Sequence, residues 1–127
     1  IGYNGLSVGL DDSNKKFWGG EDNDSLEVNP RHAFCVHAER NAVLNSNIRD
    51  LKGTTMYCTQ YPCHICAQEL VQVGVSKIVY IIKKPHHKQV NDIVKEIFKG
   101  GKLKEYDFNK LKNKDKEFVL KMYSEKF

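Results

Sequence analysis

The sequence predicts an α/β protein, a sheet with helices on both faces. Three observations carry the prediction. Segments of strand and helix character alternate along the chain, the pattern that builds such layers. Lys77 to Ile82 forms a continuous apolar run that includes Tyr80, the composition of a central strand covered on both sides. Just before it, Pro62 and Gly74 bracket a helical stretch, each suited to its end of a helix.

Taken in order, Tyr3 to Leu10 reads as a short strand interrupted by Gly5 and Gly9. Asp11 to Arg31 is polar and contains Phe17, Trp18 and Gly19-Gly20. It reads as a long loop, and long loops in compact domains are often functional. Ala38 to Asn47 has helical periodicity. Thr54 to Thr59 is β-branched and aromatic, hence a strand. The next helix runs from Pro62 to about Val73, and the apolar strand Lys77 to Ile82 ends before Pro85. A helix follows over Val90 to Phe98, stopped by Gly100-Gly101. Leu103 to Tyr106 reads as a weak last strand. Asp115 to Ser124 reads as a terminal helix with Phe118, Val119 and Met122 on one side. A lone first strand lacks a near neighbour to pair with, so the reading expects that elements before Ile1 are missing.

At 127 residues the chain suits one domain, expected to span 1–127, with a core large enough to need no disulfide staples. Its composition, 40% hydrophobic and 28% charged, is that of a globular chain. No apolar run approaches the roughly 18 residues of a membrane span. The start, Ile1-Gly2-Tyr3-Asn4-Gly5, lacks a basic region followed by an apolar one, so a cytoplasmic protein is expected, with the nucleus open. The net charge of +4 is uneven: +1 over residues 1–101 and +3 over 102–127. That basic tail reads first as a solvated helix face and second as a hold on nucleotides or nucleic acid.

Two short motifs carry the chemistry: His37-Ala38-Glu39 and Pro62-Cys63-His64-Ile65-Cys66. Each falls at the start of an expected helix. Cys63 and Cys66, three apart, share a helical face, and a helix N-terminus favours thiolates over thiols. One imidazole, two thiolates and Zn²⁺ sum to zero charge. Three protein ligands leave the fourth tetrahedral position open for water, the catalytic rather than the structural arrangement. Glu39, two residues beyond His37, reaches the same pocket without binding the metal. It is expected to take a proton from the water and to move protons to and from the reacting group.

The bland readings are a core histidine at position 37 and a structural zinc held by all four cysteines, Cys35, Cys58, Cys63 and Cys66. The latter leaves His37 and Glu39 without a task. Cys35 and Cys58 are more simply small core residues. His64 is expected to point away from the metal, and His86-His87 to lie in an exposed turn.

The His-x-Glu and Pro-Cys-x-x-Cys pair resembles the signature of the zinc deaminases of cytosine and adenine. More closely, the chain resembles deoxycytidylate deaminases through Ile1-Gly2-Tyr3-Asn4-Gly5, Gly9, Asp11-Asp12, Cys35 to Val43, Thr55-Met56-Tyr57, Pro62-Cys63 to Cys66-Ala67 and Gly74-Val75. The likeness covers roughly residues 1–85. It implies a three-layer α/β/α sandwich with a mixed sheet of about five strands, bound zinc and a homo-oligomer. It also implies that Asn4 holds the sugar or base, that the backbone around Ala38 reads the pyrimidine edge, and that the Tyr61 carbonyl faces the amine. In that family a helix and a strand precede the Gly-Tyr-Asn-Gly segment. Where its members often carry a tyrosine and a His-Asp pair after the fourth strand, this chain has Lys83-Lys84-Pro85-His86-His87-Lys88.

The expected activity is therefore deamination of a cytosine nucleotide, first of all dCMP to dUMP and ammonia. Two other classes compete. A polynucleotide deaminase would use the basic tail to hold RNA or DNA. A non-catalytic zinc module would have no need of Glu39.

Overall fold

A computed structural model describes residues 1–18 and 33–126. They belong to two compact units, Ile1–Arg49 and Asp50–Phe127. In the first, strand β1 (Gly5–Leu6) pairs antiparallel with β2 (Cys35–Val36), with Gly5 opposite Val36 and Leu6 opposite Cys35. The Ser7 N–H donates to the Phe34 carbonyl at 3.3 Å and extends the pairing. The first strand thus has a partner that the sequence reading did not find, a two-residue strand too short to show alternation.

Helix α1 spans Ala38–Leu44 and stops at Asn45, whose N–H returns to the Asn41 carbonyl at 2.9 Å. Gly2 runs against this helix. A Cβ there would meet the Ala38 carbonyl oxygen at 2.0 Å and the Ala42 nitrogen at 2.3 Å, so only glycine permits the approach. In the expected loop, Asp11 accepts from the Ser13 N–H at 2.9 Å, and Asn14 caps a 3-10 turn over Lys15–Phe17. The Phe17 and Phe34 rings meet edge to face at 5.1 Å. The remainder of that loop, residues 19–31, lies outside the described residues.

The second unit runs β3 (Thr55–Gln60), α2 (His64–Gln72), β4 (Lys77–Ile82), α3 (Lys88–Gly100), β5 (Lys104–Asp107) and α4 (Asn113–Lys126). Its strands form one parallel sheet in the order β3-β4-β5. Parallel neighbours need a long crossover, which α2 and α3 supply. The fold class is mixed α/β, as expected; among the described residues the five strands form an antiparallel pair and a parallel trio, where one mixed sheet was expected.

Cys63 caps α2 in an extended conformation, so the helix begins at His64 rather than at Pro62. At its other end Gly74, with φ of 88°, takes the left-handed turn that a β-carbon would strain. The core of this unit is built from Phe98, Leu70, Ile78, Val94 and Cys66, all fully buried.

Strand β4 is central, yet its far end is not covered: Ile81 and Ile82 are exposed. The register explains this, because pairing with β5 ends at Tyr80–Asp107. On α4 the buried stripe passes through Val119, with Met122 and Tyr123 half-buried, while Phe118 is 63% exposed. The expected Phe118 side of that helix therefore faces outward, since neighbouring helical positions point about 100° apart. Among the described residues no helix is long and apolar enough to cross a membrane.

Candidate metal centre

Each proposed ligand sits where a chain segment enters a helix. His37 is the N-cap of α1, with extended φ and ψ of −67° and 152° and no side-chain cap bond of its own. Its carbonyl accepts the Asn41 N–H at 3.0 Å. The cap is supplied from further away: Asn4 Oδ1 accepts the Ala38 N–H at 2.8 Å. Asn41 adds a second tie, donating from Nδ2 to the Tyr3 carbonyl at 2.8 Å and to the Val36 carbonyl at 3.4 Å. Together these bonds fix the head of α1 to the Gly2-Tyr3-Asn4 segment. Glu39 lies in the first turn of α1 and is half-buried.

Cys63 is the N-cap of α2 and Cys66 lies in its first turn, 1% exposed. The Cys63 carbonyl accepts the Ala67 N–H at 2.9 Å, which sets both sulfurs at the positive end of one helix. None of the four cysteines forms a disulfide. His37 offers an imidazole in the first unit, and Cys63 and Cys66 offer two thiolates in the second. The donor set suits zinc, a borderline-soft ion bound by imidazole and thiolate. His64, between the cysteines, is half-buried, and its Nδ1 is buried with no hydrogen-bond partner. His86 and His87 are exposed in a 3-10 turn, as expected.

Tyr61 follows β3 and precedes Pro62-Cys63. It is 4% exposed, its N–H donates to the Ile82 carbonyl at 2.7 Å, and its hydroxyl donates to the Glu105 carboxylate. Burial first, then that bond to a carboxylate, hold the phenol well above the ordinary tyrosine range. Its ring meets Tyr80 edge to face at 4.9 Å and carries the Lys83 ammonium 4.2 Å from its centroid.

Sequence reasoning did not single out Glu105 or the two ties of Asn41. The signal for Glu105 was the alternation in Lys104-Glu105-Tyr106-Asp107, which turns a carboxylate inward, where it needs a partner. For Asn41 it was an amide inside a helix, a position its backbone-seeking side chain rarely favours.

Residues 2–82 match the family model described as the cytidine and deoxycytidylate deaminase zinc-binding region. A Drosophila melanogaster protein described as a probable deoxycytidylate deaminase is 41% identical over 88 residues, covering 66% of this chain and 42% of that protein. The deoxycytidylate deaminase of Mus musculus is 30% identical over 99 residues, covering 78% and 54%. That of Homo sapiens is 33% identical over 86 residues, covering 68% and 47%. The chain thus spans about half the length of the curated relatives it matches. The fold is similar to a crystal structure of dCMP deaminase from the cyanophage S-TIM5 in complex with dCMP and dUMP. The TM-score is 0.56 at 22% identity, over 84% of this chain and 69% of that one. With the family model covering His37, Glu39, Cys63 and Cys66 alike, the chain belongs to the cytidine and deoxycytidylate deaminase family and carries its zinc-binding region.

Proposed function

We propose that this chain hydrolyses the exocyclic amine of a cytosine nucleotide, with dCMP as the first substrate, giving dUMP and ammonia. The observation that carries the reading is the placement of His37 and Glu39 at the head of α1, and of Cys63 and Cys66 at the head of α2. His37, Cys63 and Cys66 hold zinc in this reading, which when bound supplies a Lewis acid that acidifies a water. Glu39 accepts a proton from the attacking water and passes it to the ring nitrogen N3. Oxygen adds at C4 as a hydroxyl; Glu39 then takes that hydroxyl's remaining proton and delivers it to the amine, so that the C4–N bond breaks, ammonia leaves and the C4 carbonyl forms. A carboxylate in a confined site serves both directions of such a shuttle.

Tyr61 contributes its carbonyl as acceptor for the amine. Asn4 keeps the Ala38 N–H occupied through Oδ1 and presents its amide NH₂ to the sugar or base. The backbone beyond Ala38 lines the pyrimidine edge. The names of the curated relatives support the choice of substrate.

Ammonia release from dCMP, CMP, deoxycytidine, dCTP and a cytosine-containing oligonucleotide tests the reading. Fastest turnover of dCMP is expected. Turnover of the oligonucleotide alone, with salt-sensitive binding, would favour the second reading, which rests on the net +3 of residues 102–127. Full zinc occupancy with no turnover of any substrate would leave a non-catalytic zinc module. The same reading includes a homo-oligomer, which light scattering measures. It also includes the cytoplasm, whose reducing conditions keep ligand thiols reduced, and which cell fractionation checks.

A further inference from the structure

Tyr61, just past the end of β3, is held by two other strands. Its N–H is fixed to β4 through the Ile82 carbonyl at 2.7 Å, and its hydroxyl is fixed to β5 through Glu105. Tyr80 and Phe98 pack edge-on against the ring, at 4.9 and 6.1 Å between centroids. Lys83 covers the ring at 4.2 Å. A phenylalanine would fill the same space. What the hydroxyl adds is one hydrogen bond to a carboxylate, a stronger bond than a neutral pair makes. Glu105 in turn gains a donor for a half-buried acid on the covered side of β5.

The bond ends at a consequential place. Tyr61 is followed by Pro62, which is buried and whose ring fixes φ, and then by Cys63. A rotation of Tyr61 therefore has little slack to dissipate before it reaches the cysteine. Glu105 lies beyond residues 2–82, the part that matches the family model.

We propose that Glu105 is a positioning residue for the reaction: through the Tyr61 hydroxyl it orients the Tyr61–Pro62–Cys63 segment, and so the carbonyl that faces the amine and the first sulfur. This rests on the reading under Proposed function for its activity arm, and on Cys63 as a ligand for its metal arm.

The test uses the full chain with Tyr61→Phe, Glu105→Ala, Glu105→Gln and the double variant Tyr61→Phe/Glu105→Ala. Two quantities are read at a temperature where every variant is folded: kcat and KM on dCMP, and zinc affinity in competition with a chromophoric chelator. Both disruptive variants are expected to lower kcat about ten-fold with KM within about two-fold, and to weaken zinc about ten-fold, the low end for loss of an outer-shell partner of a metal site. The double variant should be no worse than either single one, since both remove the same bond. Glu105→Gln, which keeps an acceptor oxygen, should restore most of the loss.

Unchanged kcat and zinc affinity in folded variants, with only a lowered Tm, would overturn the proposal and leave the bond a purely structural tie. Losses that multiply in the double variant would also overturn it. If the parent protein turns over no cytosine substrate, the functional reading fails, while the chelator competition still decides whether Glu105 positions Cys63.

Discussion

Removing the Asn4 side chain separates the substrate contact expected of it from a task within the protein. Asn4 was expected to hold substrate, but the structure gives it a task in the protein itself. Its Oδ1 accepts the Ala38 N–H at 2.8 Å, at the head of a helix whose N-cap residue, His37, makes no side-chain cap bond. Helix α1 has seven residues, well below the dozen or so at which an isolated helix becomes even marginal in water. Its caps therefore matter. Loss of an N-terminal cap costs about 1 kcal/mol, within a range of roughly 0.5–2. At about 2.1 cal/mol/K per residue, unfolding this chain carries an entropy of roughly 270 cal/mol/K, so Asn4→Ala should lower Tm by about 4 °C. With a urea slope of about 1–3 kcal/mol/M, the midpoint should move by roughly 0.3–1 M. Trp18, the single tryptophan, lies in the 1–49 unit and reports its unfolding by fluorescence, with no substrate present. Asn4→Asp keeps the acceptor and places negative charge at a helix N-terminus, so it should hold or exceed the parent stability. An Asn4→Ala protein that melts within about 1 °C of the parent but shows a raised KM would refute the capping argument and leave Asn4 a substrate contact alone.

Three further outcomes are expected. Glu39→Gln should retain one zinc per chain by metal analysis and lose at least about 100-fold in kcat, the lower bound for removing a general acid–base; full activity would contradict the proton shuttle. Phe98→Ala should cost about 3–5 kcal/mol in chemical denaturation, because a fully buried ring leaves a cavity; a cost under about 1 kcal/mol would mean that the site collapses freely. Burial, then Asp107 and Glu105, raise the Tyr80 phenol above its ordinary value of 10.0. Its contribution is thus complete below about pH 10 and falls above it, where the unfolded chain ionises first. Tm measured from about pH 9 to about pH 11 should fall less steeply in Tyr80→Phe, and an unchanged slope would remove Tyr80 from the account.

Strand β4 was legible to the residue, because an apolar β-branched run closed by Pro85 admits few alternatives. Its exposed end was not, since exposure there depends on where β5 stops pairing, a register that no local pattern encodes. The helix over Pro62 to Val73 was placed within two residues, with the difference set by Cys63 serving as cap. Strand β2 escaped because two residues cannot display a period, and its partner lies about 30 positions earlier. The placement of His37 and Glu39, and of Cys63 and Cys66, at the heads of two helices was readable from the sequence. The bonds that hold them were not: Asn4 to Ala38, Asn41 to Tyr3, and Tyr61 to Glu105 each join segments distant in sequence. Phe118 was misplaced because neighbouring positions on a helix diverge, and only packing selects which of two adjacent apolar residues turns inward.

The parallel run of β3, β4 and β5 means that all three strands discharge their chains at the same rim. From that rim emerge Tyr61-Pro62-Cys63, the basic turn Lys83 to Lys88, and the short turn Phe108–Lys110, whose Asn109 donates to the Ile81 carbonyl at 3.0 Å. The opposite rim and the packed interior need not change for these segments to do so. The turn is therefore separable from the scaffold: a different sequence over residues 83–88 leaves Phe98, Leu70 and Ile78 to specify the same packed interior.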